Sequence, residues 1–154
     1  MRKLSKAYIS SLVSLYGADI IHSPLFMREM DYMQHGSVTV YAHSISVAFF
    51  ALLIARKLHI SLNERSLVRG ALLHDYFLYD WHVYDKTHRM HGFIHASLSR
   101  INAERDFKIN SLEAYIIERH MFPLNIKPPL KKEAAIVTIA DKIIALWETI
   151  TKRK

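Results

Sequence analysis

Four stretches of this chain place an imidazole or a carboxylate where a helix should be apolar. The run "ALLHDYFLYDW" carries His74 and Asp75 side by side at the end of an apolar segment. With ten histidines in the chain, one His-Asp dipeptide arises readily by chance, so its surroundings must make the case. His74 shares a helical face with Leu67 and Ala71, and His43 shares one with Val47, Phe50 and Ile54. His120 follows Ile116 and Ile117, and Asp141 lies among Ala134, Val137, Ile144 and Ala145. A buried histidine alone says little, but an ionised carboxylate in a core is costly unless it is paired or bound to a metal. Four helices each turning a His or Asp inward point to one shared centre. Imidazole and carboxylate without thiolate suit Fe(II), Mn(II), Zn(II) or a similar divalent ion.

The elements that must hold these groups read as helices throughout. Residues 4–16 set Leu4, Tyr8, Leu12 and Leu15 on one stripe, and residues 41–59 form a strongly apolar helix. Ser61 with Glu64 predicts a capping box for a helix over 62–78, and Asn110 with Glu113 predicts another start. Pro123 stops that helix, and Pro128-Pro129 precede a terminal helix over about 130–151. The segment 82–106 reads as a loop followed by a helix from about His95, with Gly92 arguing against regular helix before it. Strand-like alternation is absent. The expectation is an all-α, single-domain bundle of six or seven helices over residues 1–154, with 1–30 as an N-terminal helical extension.

Composition agrees with that class: 51% of residues are hydrophobic, and glycine and proline number four each. Without cysteine, disulfides and thiolate metal sites are excluded. Serines interrupt the first apolar stretch, which argues against a secretory signal. The apolar run in "ISVAFFALLIARK" falls short of the roughly 20 residues of a membrane span, so a cytoplasmic protein without a membrane partner is expected. The net charge of +7 is dispersed, which suits an anionic small substrate better than nucleic acid. Oligomeric state is not legible.

In chain order the groups run His43, His74-Asp75, His95, His120, Asp141, which resembles the H…HD…D signature of the HD-domain superfamily of metal-dependent phosphohydrolases. "YAHSISVAFFALLIA" is similar to the family's first-ligand helix, "GALLHD" to the segment ending in its doublet, and "AIVTIADKI" to its last-Asp helix. The likeness spans about residues 30–150, and "QHGSVTVYAHS" resembles a bacterial subgroup with His-Gly ahead of the first ligand. It implies an all-α fold and hydrolysis of phosphomonoesters, nucleotides or phosphodiesters with one or two divalent ions. Iron or manganese is favoured over zinc or magnesium. By the resemblance, His43, His74, Asp75 and Asp141 form the primary site, His95 and His120 serve a second ion, and Asp75 bridges. Two-metal relatives often have His-Pro where this chain has His95-Ala96, and His-His where it has His120-Met121. Many read HDIGK after the doublet, where this chain reads "HDYFLYDW", and Asp80 is an imperfect match for a subgroup's acidic residue.

The chemistry expected is attack on phosphorus by metal-activated hydroxide, oriented by Asp75. Without HDIGK, Lys86 and Arg89 are the nearest loop cations for transition-state charge. His91 stands four residues before His95 and is a further candidate ligand; His35 is a candidate for substrate contact, support or capping, and His88 for a surface loop. Two other readings compete. A non-catalytic metal- or nucleotide-binding sensor would tend to lose ligands, and a basic nucleic-acid module would leave Asp141 unexplained.

Overall fold

The computed structural model describes residues 4–86 and 90–152. Among them are α1 (Lys6–Tyr16), α2 (Ala18–Ile21), α3 (Pro24–Met27), α4 (Val40–Lys57), α5 (Glu64–Leu73), α6 (His91–Asp106), α7 (Ser111–Arg119) and α8 (Lys132–Thr151). Six are long and two are single turns, so the architecture is all-α. A 3-10 turn, Arg28–Asp31, leads into a small antiparallel hairpin of β1 (Met33–His35) and β2 (Val38–Thr39), which sequence alternation did not reveal. Two short strands give too few residues for a period to register. Gly36 turns the hairpin with φ 58°, a left-handed conformation that glycine adopts without steric cost.

The long apolar α4 runs through the middle, packed on α1, α5 and α8, while α7 joins α5, α6 and α8. By length and composition α4 alone among the described helices is apolar enough to cross a membrane, yet Val47, Ala48, Ala51 and Leu52 lie fully inside the bundle. A core helix passes the same test.

Three local expectations shift. The cap of α5 is Asn63, whose side chain accepts from the Ser66 N–H (2.9 Å), because Glu64 is drawn instead to Arg56 through two 2.8 Å bonds. That helix stops at Leu73 rather than 78. Tyr76 leaves the axis to bury its ring against Phe26 and Phe107 and to donate its hydroxyl to Asp106 (2.9 Å). In turn, α6 begins at His91 rather than His95, with Gly92 in its first turn, where a Cβ would meet the Leu124 side chain at 3.0 Å. The capping box of Asn110 and Glu113 on α7 forms as expected.

α5 and α7 approach unusually closely at Gly70, where a Cβ would lie 2.7–2.9 Å from three side-chain atoms of Ile116. Gly70→Ala should therefore destabilise the protein by about 1–2 kcal/mol, overpacking outweighing the roughly 1 kcal/mol gain in helix propensity. Chemical denaturation of the variant measures this; a stabilised variant would show that the helices separate freely.

Candidate metal centre

Each histidine reaches the centre from a place that fixes its ring. His74 and His120 are the C-cap residues of α5 and α7. Their Nδ1 atoms lie 2.7 Å from the carbonyl oxygens of Ala71 and Ile117, three residues back. Those carbonyls belong to the last turn, where helix oxygens lack backbone partners. A carbonyl only accepts, so each Nδ1 carries the proton and each Nε2 presents a lone pair. His95, in the first turns of α6, does the same with the His91 carbonyl oxygen (3.0 Å). His43, inside α4, directs Nδ1–H to the Glu148 carboxylate on α8 (2.8 Å). A carboxylate or carbonyl behind a histidine is the usual support of a metal-binding imidazole.

The Nε2 atoms converge in two groups sharing Asp75. In the first, His43 Nε2 lies 3.0 Å from Asp141 Oδ1 and 3.7 Å from Asp75 Oδ2. His74 Nε2 lies 3.2 Å from Asp75 Oδ2 and 3.4 Å from Asp141 Oδ1. In the second, Asp75 Oδ1 lies 3.2 Å from His95 Nε2 and 3.4 Å from His120 Nε2, and the two nitrogens are 3.0 Å apart. Within each group all donor atoms fall inside 4.8 Å of one another. Bonds of about 2.1 Å to one ion place neighbouring donors about 3.0 Å apart in an octahedron and about 3.4 Å apart in a tetrahedron. His74 Nε2 and Asp75 Oδ1 are buried and make no hydrogen bond. Unprotonated nitrogens facing each other at 3.0 Å repel unless a cation lies between them. The residues fit divalent ions.

Without ions, protons must balance the charge. Burial works against protonation of His43, but hydrogen bonds with Asp141 and Glu148 outweigh it and lift the imidazole to about 9. His74 is likewise raised despite burial, by Asp75 and Asp141. Burial would raise both carboxyls, yet the histidines hold Asp75 and Asp141 well below the usual carboxylate range. Burial pushes His120 down.

Of the sequence candidates, His43, His74, Asp75, His95, His120 and Asp141 come together. His91 does not join either group: its ring stacks between Trp81 and His95 (5.1 and 4.6 Å), and its Nδ1 lies 2.6 Å from the Tyr79 hydroxyl. Lys86 is exposed on the loop, and His88 and Arg89 lie outside the described residues. Asp80 is half-exposed and accepts from the His82 N–H (2.9 Å). His35 meets His43 edge-on at 5.4 Å.

Three residues escaped the sequence reading. Glu148 lies seven residues after Asp141, two turns along the same stripe, and that spacing was a usable signal. Gln34 donates Nε2–H to Asp75 Oδ2 (2.6 Å) from the hairpin, where no periodicity marks it. Glu29, on the 3-10 turn, is fully buried with neither carboxyl oxygen hydrogen-bonded; burial, reinforced by the Asp75 charge, pushes its pKa well above the ordinary range.

The proton on His43 sets a pH dependence. Its raised value stabilises the metal-free fold fully below the ordinary 6.5, and this contribution is lost as pH rises through about 9. An ion must displace that proton, so affinity for Mn(II) should rise about tenfold per pH unit, or more, up to pH 9. Competition titrations from pH 6 to 10 measure the slope; a flat profile would show that His43 binds no ion.

The comparisons with known proteins meet this geometry at one point. The HD domain family model matches residues 40–146, which include His43, His74, Asp75, His95, His120 and Asp141. Neither the curated proteins nor the solved structures give a match. A match over most of the chain, on a bundle that brings the His and Asp positions of the signature together, makes this chain a member of the HD domain family.

Proposed function

We propose that the chain is a metal-dependent phosphohydrolase that holds two divalent ions and acts on a phosphomonoester, nucleotide or phosphodiester. The observation that carries this reading is the sharing of Asp75 between two donor groups. His43, His74 and Asp141 would hold one ion with Asp75 Oδ2, and His95 and His120 the other with Asp75 Oδ1. Divalent ions supply, when bound, acidified water at neutral pH and neutralisation of phosphoryl charge.

The protein's own groups do the rest. The fixed Nδ1–H bonds keep every imidazole aimed inward, so no reorganisation is needed as charge develops. Asp75 and Asp141 stay ionised near neutral pH and accept from the attacking water. Lys142 joins Lys86 and Arg89 as a cation that would take the place of the absent HDIGK lysine. It follows Asp141 on α8 and its Nζ donates to the His120 carbonyl oxygen (3.2 Å), which parks an ammonium beside the second donor group.

The direct test is elemental analysis of the purified protein followed by a panel of phosphomonoesters and phosphodiesters with Mn(II). Turnover with two bound ions is expected. His120→Ala should lower activity by a hundredfold or more while leaving the first ion bound, since two-ion in-line displacement needs both metals. Full activity in that variant would sink the two-ion reading.

Lys142 makes a separate expectation. Lys142→Met should raise KM for a phosphorylated substrate about tenfold, corresponding to about 1.4 kcal/mol, with metal content unchanged. Steady-state kinetics on the metal-loaded variant settle it, and an unaltered KM would return the role to the loop cations.

A further inference from the structure

We propose that Gln34 is a positioning residue that fixes the bridging orientation of the Asp75 carboxylate, turning one oxygen toward each donor group. The inference rests on the two-ion reading above. Gln34 lies upstream of the family-matched region, which begins at residue 40. Its amide Nε2–H supplies, among the described residues, the one directed hydrogen bond that the Asp75 carboxylate receives, 2.6 Å to Oδ2. The other oxygen, Oδ1, is buried without a hydrogen bond and faces His95 and His120.

The terminal torsion of an aspartate is broad, so an unheld carboxylate can rotate. Rotation would bring both oxygens of Asp75 toward the His43, His74 and Asp141 donors and strip the second group of its only carboxylate. Holding Oδ2 prevents that turn. The arm that does so is itself fixed. β1 pairs with β2, the Val40 N–H donates to the Tyr32 carbonyl oxygen (2.8 Å), and the Ser37 N–H donates to that of Lys152 at the end of α8 (3.3 Å). Gln34 is only 7% exposed, and its Oε1 is buried with no partner. An amide with half its capacity unmet is a poor choice for filling space, since an unsatisfied buried acceptor is destabilising where an apolar side chain would not be. Its presence at this spot is accounted for by what its other half does to Asp75.

The experiment uses the full chain loaded with Mn(II), comparing wild type with Gln34→Leu and Gln34→Met, both close in volume and lacking the donor. Metal stoichiometry and stepwise affinities are measured by titration with elemental analysis, and the ion pair is read by electron paramagnetic resonance, since bridged Mn(II) ions are exchange-coupled. In both variants the second ion should bind about 10- to 100-fold more weakly, the range found for losing an outer support of a metal ligand. The first ion should stay bound, the coupled signal should disappear at one to two equivalents, and the unfolding temperature should hold or rise. Two coupled ions with unchanged affinities in wild type and variants alike would overturn this inference and leave the two-ion reading standing. A wild type that holds a single ion under all conditions would overturn both. Two variants guard against a packing defect, because loss confined to one of them would also count against the role of the donor.

Discussion

Two carboxylates and four imidazole nitrogens meet in a space from which water is nearly excluded, and none of the four nitrogens is free to hand its lone pair elsewhere. That requirement for positive charge governs the rest of the molecule. Asp75 is 2% exposed and His43, His74 and His120 are fully buried, so solvent cannot compensate them. Charge must come from protons or from ions. Protons serve only partly: His43 and His74 are raised, but burial pushes His120 down, and the His95–His120 contact at 3.0 Å keeps two lone pairs facing. Divalent cations, one in each donor group, would satisfy these atoms together, and buried donors of this kind couple metal affinity to folding.

A second buried ionic cluster on the same helix shows what a merely structural one looks like. Arg69, on α5, is 1% exposed and spends its guanidinium on Glu113 (3.0 Å), Asp19 and the Lys108 carbonyl oxygen (3.1 Å). Glu113 in turn accepts from Ser66 and from the backbone and side chain of Asn110. No atom of either residue is left without a partner. A buried pair closed in this way ties α2, α5 and α7 together, and removing one member would strand the other's charge. At the far end of α5, by contrast, His74 Nε2, Asp75 Oδ1, Gln34 Oε1 and both Glu29 oxygens stay unpaired. The difference between the two ends lies in completeness of hydrogen bonding. Burial and charge are common to both.

This contrast also explains what could be read in advance. Periodicity exposes a polar residue on an apolar face, so His43 and Asp141 stood out on long regular helices, and His74 and His120 on the ends of two more. The six long helices and the Asn110 cap followed from the same local rules. Periodicity fails where the element has no period. Gln34 sits in a three-residue strand, Glu29 in a single 3-10 turn, and neither position carries a pattern to violate. Arg69 went unnoticed for the opposite reason: a long side chain on an amphipathic helix is expected to reach solvent, and only tertiary packing shows that it does not. The early end of α5 was hidden because it is decided by Tyr76 packing on Phe26 and Phe107, partners distant in sequence.

The hairpin and α8 give the centre its remaining rigidity. α8 contributes Asp141 to the donors and Glu148 to the support of His43, two turns apart on one rod. The hairpin contributes Gln34 and sets His35 edge-on to His43, and its turn is hydrogen-bonded to the carbonyl of Lys152 at the end of that same rod. Asp75 and His43 are therefore gripped from two sides by segments that are fastened to each other. α4 follows β2 directly, capped by Thr39, so the strand that ends the hairpin also fixes where His43 begins its course through the core. A shift of the hairpin would move Gln34, His35 and the start of α4 together. The placement of one carboxylate thus depends on a left-handed glycine at residue 36, a backbone bond across 115 positions and a helix that closes the bundle. Together they set where Asp75 lies between its two donor groups.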